Sequence, residues 1–215
     1  SSAASDVYKR QKLVCASNQN NVLTDFLSTG TYTAKRKFYK TTSPSMDILV
    51  SSNLERLLYH VTGSDAEVAG LMKSLNETGS YTVRPETLKA IQESFDCGWS
   101  SEEQVAGEIR ARYEKDGYLC DTHTAVAFHV AAQKKRDGVP MVVLSTASPF
   151  KFPRSVLEAL GHTAPENDFE AMQALEEATG RTAPASLAVL RQKAERFSTV
   201  IDPAQIAEVA MGCQA

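Results

Sequence analysis

No apolar run in this sequence approaches the roughly 20 residues that span a bilayer. The amino terminus, SSAASDVYKRQ, has neither a basic segment leading into an apolar one nor an amphipathic arginine-rich pattern. With no membrane or export signal to read, a cytoplasmic protein is the expectation. Positive charge is not in excess: 23 Lys and Arg stand against 26 Asp and Glu, for a net charge of -3 and a pI near 5.8. No global basic field therefore draws the chain to nucleic acid. Cysteine is sparse, with Cys15, Cys97, Cys120 and Cys213 far apart and forming no C-x-x-C pair. A secreted disulfide framework comes in a shorter, cysteine-denser chain, and the paired ligand spacing of a zinc site is missing. Buried or half-buried free thiols are expected, and no metal.

What is present is the composition of an ordinary globular protein, 42% hydrophobic and 23% charged. Its 215 residues suit one large domain or two small ones, at roughly 150 residues each. Residues 1–11 are polar and aperiodic. They resemble a translated sequencing adapter of the kind found at the ends of environmental assemblies. We treat them as a non-native or disordered leader, and residues 12–215 as the folded region.

From Lys12 the pattern becomes periodic. KLVCAS is a short β-rich run bounded by the turn-forming NQNN, and predicts a strand. NVLTDFLSTG sets Val22, Leu23, Phe26 and Leu27 on one helical face, with Gly30 as its stop. The stretch from Thr31 to Asp47 holds a proline and many hydroxyls and predicts extended or irregular backbone rather than a helix. SSNLERLLYHVTG predicts a helix closed by Gly63, with capping-box spacing from Ser52 to Glu55. Further helices are expected near 64–78, 85–95, 101–116 and 122–136, and from Arg154 onward with breaks at Gly161, Pro165, Gly180, Pro184 and Pro203. VPMVVLST, a continuous apolar run, predicts a buried strand of a parallel sheet. Two strands among many helices give an α/β fold with only part of its sheet present.

Three polar clusters could carry chemistry. In SPSMDILVSSNLER, Ser43, Ser45, Ser51, Ser52 and Asn53 precede Arg56 by one helical turn or more. Hydroxyls, an amide and backbone N–H groups at a helix start suit a phosphate monoester, although turn and capping duties explain the same residues. In LCDTHTAVAFH, Asp121 or Thr122 is the natural N-cap. No second ligand lies three or four residues from His123, so a metal role is disfavoured, and a neutral histidine at a helix start is left either to pack or to line an anion pocket. VVLSTASPFKFP ends an apolar run in Ser145 and Thr146, where ligands of α/β sheets gather. Lys151, between Phe150 and Phe152, is expected to snorkel at the surface.

Four ordered runs resemble one family. SPSMDILVSSNLERLL resembles the signature of threonine synthase in the branch shared by bacteria and fungi, and NQNNVLTDFLSTGTY resembles the segment just upstream of it. DTHTAVA is similar to that family's Asp-Pro-His-Thr-Ala-Val-Gly segment, with Thr122 in place of proline, and LSTASPFKFP to its Ser/Thr-Ala-His/Ser-Pro-x-Lys-Phe segment. The matches run from Lys12 to about Leu160, and the first two are specific. The SPSMD…SSNLER run also separates the chain from threonine or serine dehydratases. The resemblance implies an incomplete fold-type II pyridoxal-phosphate domain, with residues 12–215 as the C-terminal part of the catalytic domain. It implies a lyase that converts O-phospho-L-homoserine and water to L-threonine and phosphate. The family's Schiff-base lysine and glycine-rich cofactor loop lie upstream of its Asn-rich segment, so no catalytic residue is assigned here and these residues alone are expected to be inactive. Thr146 is implied to meet the cofactor ring, with Ser145 as the competing assignment, and Ser52, Asn53, Arg56 and His123 to serve the substrate. A helical interaction or regulatory module retaining this scaffold is the rival expectation.

Overall fold

A computed structural model of the chain describes residues 12–194, 196 and 198–212. The leader and Cys213 lie outside the described residues. Contacts divide the chain into a larger unit ending at Thr182 and a smaller one beginning at Ala183.

The larger unit opens with β1 (Leu13–Ser17), α1 (Val22–Thr29) and the three-residue β2 (Thr31–Thr33). Next come α2 (Leu54–Thr62), α3 (Asp65–Thr78), β3 (Ser80–Thr82), α4 (Pro85–Ser94) and β4 (Phe95–Trp99). The helices α5 (Glu102–Asp116), α6 (Thr122–Lys134), α7 (Pro153–Ala159) and α8 (Asp168–Thr179) complete it. β1 and β4 pair in parallel, Leu13 opposite Phe95 and Ser17 opposite Trp99. β2 and β3 pair antiparallel with Tyr32 opposite Tyr81. This is the α/β class with few parallel strands among many helices.

Helix ends follow local chemistry. Gly30, Gly63, Gly117 and Gly180 all end helices in the left-handed conformation that glycine adopts most cheaply. α5 begins with a complete capping box between Ser101 and Gln104. The box expected at Ser52 and Glu55 does not form: α2 starts at Leu54, and Asn53 at its N-cap position keeps helical backbone angles and makes no side-chain cap.

Two packed regions flank the parallel pair. One gathers Val22, Phe26, Tyr32, Leu58, Tyr81 and Ile91, with Tyr32 stacked on Tyr81 at 5.2 Å and Phe26 edge-on to both. The other buries Val105 and Ile109 of α5, Val126 and Val130 of α6, Val156 and Leu157 of α7, and Leu175 of α8. α6 lies so close to β4 that a Cβ at Gly98 would stand 2.7 Å from a Val130 methyl, so this strand position needs glycine. Cys97 and Cys120 are buried free thiols and Cys15 a half-buried one.

The strand expected in VPMVVLST is a correction. No regular element forms between α6 and the turn at Pro149, and Val139, Val142 and Leu144 are 57%, 76% and 74% exposed. A strand exists only through its ladder partners, and neither β1 nor β4 pairs with this run. The smaller unit contains α9 (Ala185–Ala188) and α10 (Ile206–Gly212), both too short to bury a core, with Val200 and Ile206 exposed. Among the described residues no helix is long and apolar enough to cross a membrane.

Candidate functional site

The segment from Tyr39 to Asn53 is nearly devoid of regular structure yet strongly fastened. Its base is knotted at the carboxyl end of β1, where α/β sheets place ligand sites. Asp47 Oδ1 accepts from Asn18 Nδ2 at 2.8 Å, Asn20 Nδ2 at 2.9 Å and the Thr41 hydroxyl at 2.7 Å. Its Oδ2 accepts from the Thr41 N–H at 2.9 Å. Asn18 and Asn20 are buried; Asn20 also donates to the Tyr39 carbonyl and accepts from the Tyr39 N–H. Asn18 reaches the fully buried Ser43 as well, at 3.1 Å. Glu102, at the start of α5, accepts from the Thr42 N–H at 2.8 Å. At the far end of the segment the Tyr32 hydroxyl donates to the Leu49 carbonyl at 2.9 Å and accepts from the Ser51 N–H at 2.8 Å.

The exposed tip of the segment, a single 3-10 turn over Pro44–Met46, is held from α6. The Ser45 N–H donates to His123 Nε2 at 3.2 Å. The other ring nitrogen, Nδ1, lies 3.1 Å from Asp121 Oδ1, and the ring packs tilted on Phe152 at 4.7 Å. Asp121 is the N-cap of α6, accepting from the His123 N–H at 2.9 Å and the Thr124 N–H at 3.3 Å, and it accepts from the Thr124 hydroxyl. Burial pushes its carboxyl up, but hydrogen bonds from His123, Thr124 and the backbone outweigh that and hold it below the ordinary carboxylate range. Beside it the buried Cys120 thiol is pushed up to about 12 by burial and then by the Asp121 charge, so it stays a neutral thiol.

Ser52, Asn53 and Arg56 stand together at the exposed start of α2. The Asn53 side chain, free of capping duty, accepts from the Arg56 guanidinium. Ser145 and Thr146 are both exposed, and the Thr124 hydroxyl lies 3.4 Å from the Ser145 hydroxyl. The structure thus brings His123 to the SPSMD turn and Ser145 to the start of α6. It keeps Ser52, Asn53 and Arg56 as a separate group at the other end of the same segment. Lys151 is exposed on the turn before Phe152, as its neighbours suggested.

Comparison with known proteins decides the family. Residues 124–210 match the model for the C-terminal region of threonine synthase. The human protein named threonine synthase-like 1 is 39% identical over 152 residues, covering 70% of this chain and 20% of its own. Threonine synthase of Pseudomonas aeruginosa is 34% identical over 200 residues, covering 92% of this chain and 39% of its own. The structure of a threonine synthase from Brucella melitensis with bound pyridoxal phosphate superposes with a TM-score of 0.79 at 37% identity, over 97% of this chain and 42% of that one. The chain belongs to the threonine synthase family. It spans between a fifth and about two fifths of the length of these relatives.

Within this threonine synthase region, several structuring residues escaped the sequence patterns. Asn18, Asn20 and Asp47 lie inside the two most specific runs, but nothing in their spacing says that they meet. Asp47 joins partners 27 and 29 residues away. Tyr32 fell in a stretch read as extended or irregular, with nothing to mark its hydroxyl as an anchor. The one local signal was the N-x-N pair itself, since two amides in a turn-rich segment often order their own backbone.

Proposed function

We propose that the chain supplies the substrate-phosphate side of a pyridoxal-phosphate lyase that converts O-phospho-L-homoserine and water to L-threonine and phosphate. Residues 12–215 form the C-terminal part of its catalytic domain, and the activity requires residues beyond them, among them the lysine that carries the cofactor. The observation that supports this most is the state of Asn53 and Arg56. They are paired and exposed at the start of α2, and the capping role that could have explained Asn53 is absent. An amide and a guanidinium offered together, with the Ser52 hydroxyl beside them, suit a phosphate monoester dianion. The Brucella melitensis relative carries pyridoxal phosphate, which bears on this chain through its donor chemistry. Ser145 and Thr146 present neutral hydroxyls in an exposed segment that Ser145 brings beside Thr124 in the first turn of α6. Such groups fit a cofactor's ring nitrogen, and we assign Thr146 to it with Ser145 as the competitor. When bound, the cofactor supplies the electron sink that the reaction needs. This chain's residues bind and orient: Ser52, Asn53 and Arg56 hold the phosphate, and His123 serves the substrate from beside the SPSMD turn. A cytoplasmic location fits this role.

The test is a full-length protein made by joining residues 12–215 to the upstream part of a relative, assayed for phosphate release from O-phospho-L-homoserine. Each of Asn53→Ala and Arg56→Ala should lower kcat/KM about tenfold to a hundredfold, as expected for one charge-assisted hydrogen bond. Unchanged kinetics with lowered thermal stability would assign the pair to structure. Release of phosphate from no phosphorylated amino acid would favour the interaction module. Turnover of threonine but not of the phosphorylated substrate would favour a dehydratase.

A further inference from the structure

We propose that Asp121 and His123 form a latch that positions the SPSMD turn, with His123 acting through the Ser45 N–H. The loop's base and tip are held very differently. The base has the Asp47 knot and the Glu102 contact, whereas the tip is tied to the rest of the fold through the Ser45 to His123 bond at 3.2 Å. A backbone N–H can only donate, so Nε2 must carry its lone pair and no proton. The ring proton therefore sits on Nδ1, where Asp121 Oδ1 waits at 3.1 Å to accept it. Asp121 is fully buried, and the His123 side chain is 9% exposed and seated on Phe152, so the ring is not free to turn over and exchange its two nitrogens. The carboxylate chooses the tautomer, the tautomer makes an acceptor, and the acceptor holds the tip. Through the Thr124 hydroxyl, which donates to Asp121 and lies 3.4 Å from Ser145, the same carboxylate also stands beside the 145–146 segment. One buried acid thus fixes the holder of the SPSMD turn and stands beside the segment assigned to the cofactor. His123 is on this account a positioning residue, and its functional consequence rests on the substrate reading proposed above.

The test uses the whole chain without ligand, so it stands or falls apart from the substrate assignment. Nitrogen-15 NMR of the His123 imidazole at neutral pH should show a protonated Nδ1 and an unprotonated Nε2; the opposite tautomer overturns the latch. In His123→Phe, which keeps a ring against Phe152 but has no acceptor, the Ser45 amide should exchange with solvent about fivefold to tenfold faster, the loss of one ordinary hydrogen bond. The Asn20 amide in the base should keep its rate. Equal rates at Ser45 in the two proteins overturn the latch, and the tautomer measurement on the unmodified chain decides the matter should the variant fold poorly. If the latch holds but Asn53→Ala leaves full-length kinetics unchanged, the substrate reading alone fails.

Discussion

Two irregular segments of this chain, 39–53 and 135–148, have opposite compositions and opposite fates. The first is rich in hydroxyls, amides and charge, and hydrophobicity alone would set it in water. The second carries VPMVVLST and by the same rule should be buried. Yet Ser43 is fully buried and Leu144 is 74% exposed. The difference lies in partners. The buried Ser43 hydroxyl and the Asp47 carboxylate of the first segment find donors across the fold, so burial costs little and the backbone is fixed. The second segment needs a ladder neighbour, and the described strands offer it none. Polar sequence can order a loop when its hydrogen bonds close, and apolar sequence cannot order a strand without a partner.

The sharpest way to break the contrast is Asp47→Ala. It removes the acceptor that Asn18, Asn20 and Thr41 share: Asn18 keeps Ser43 and Asn20 keeps the Tyr39 carbonyl, but one N–H of the buried Asn20 amide and the Thr41 backbone N–H lose their acceptor. With each unsatisfied buried group costing about 1–3 kcal/mol, a loss of roughly 3 kcal/mol or more is expected in urea unfolding. A loss under about 1 kcal/mol would mean that water replaces the carboxylate and the knot matters little.

Asp121→Asn comes next, at about 1–3 kcal/mol. Asparagine still caps a helix, so what is lost is the charge under His123 and Thr124. The pH dependence has a definite sign. Because the folded carboxyl sits below its unfolded value of about 3.9, its stabilisation is complete above that pH and disappears as the pH falls through the folded value. Midpoints of urea unfolding measured between neutral pH and about pH 3 should drop less steeply for the variant. Parallel curves would remove Asp121 from the acid response.

Tyr32→Phe probes the far anchor. The ring stays stacked on Tyr81, but the Leu49 carbonyl loses its donor and the Ser51 N–H its acceptor. About 1–2 kcal/mol is expected from calorimetry, with amide exchange at Ser51 speeding up and that in β1 unchanged.

These three positions also show where sequence reading reaches its limit. Helix ends were legible because capping and left-handed glycine are local: Ser101, Gly30, Gly63 and Gly117 sit where their neighbours demand. β1 was legible from its β-rich run. β4, FDCGW, was not, since an aspartate and a glycine hide a strand whose glycine is required by Val130 across the packing. β2 and β3 are three residues each, shorter than any periodic pattern can show. The site was legible as a set of polar clusters, but its closure through Asp47 and His123 depends on contacts 29 and 78 residues apart, which no local spacing encodes. VPMVVLST misled for the complementary reason, that its own residues describe a strand and say nothing of the neighbour a strand needs.

The smallest effect is expected at that apolar run. Replacing Val142 and Leu144 together by lysine removes two side chains that are already 76% and 74% exposed. Little apolar area returns to water on unfolding at either position, so the transfer term that makes core substitutions costly is nearly absent. Surface substitutions of this kind fall within about 0.5 kcal/mol, and the unfolding midpoint of this chain should barely move. Its solubility should rise, because an unpaired β-prone run invites pairing with another copy and inserted charge discourages it. The same pair of lysines placed in the full-length protein sharpens the comparison. If upstream residues supply the missing ladder partners, two buried cations would then cost several kcal/mol and the protein would fail to fold or assemble. A large loss in the shorter chain would show instead that this run is already covered, and the contrast between the two segments would dissolve.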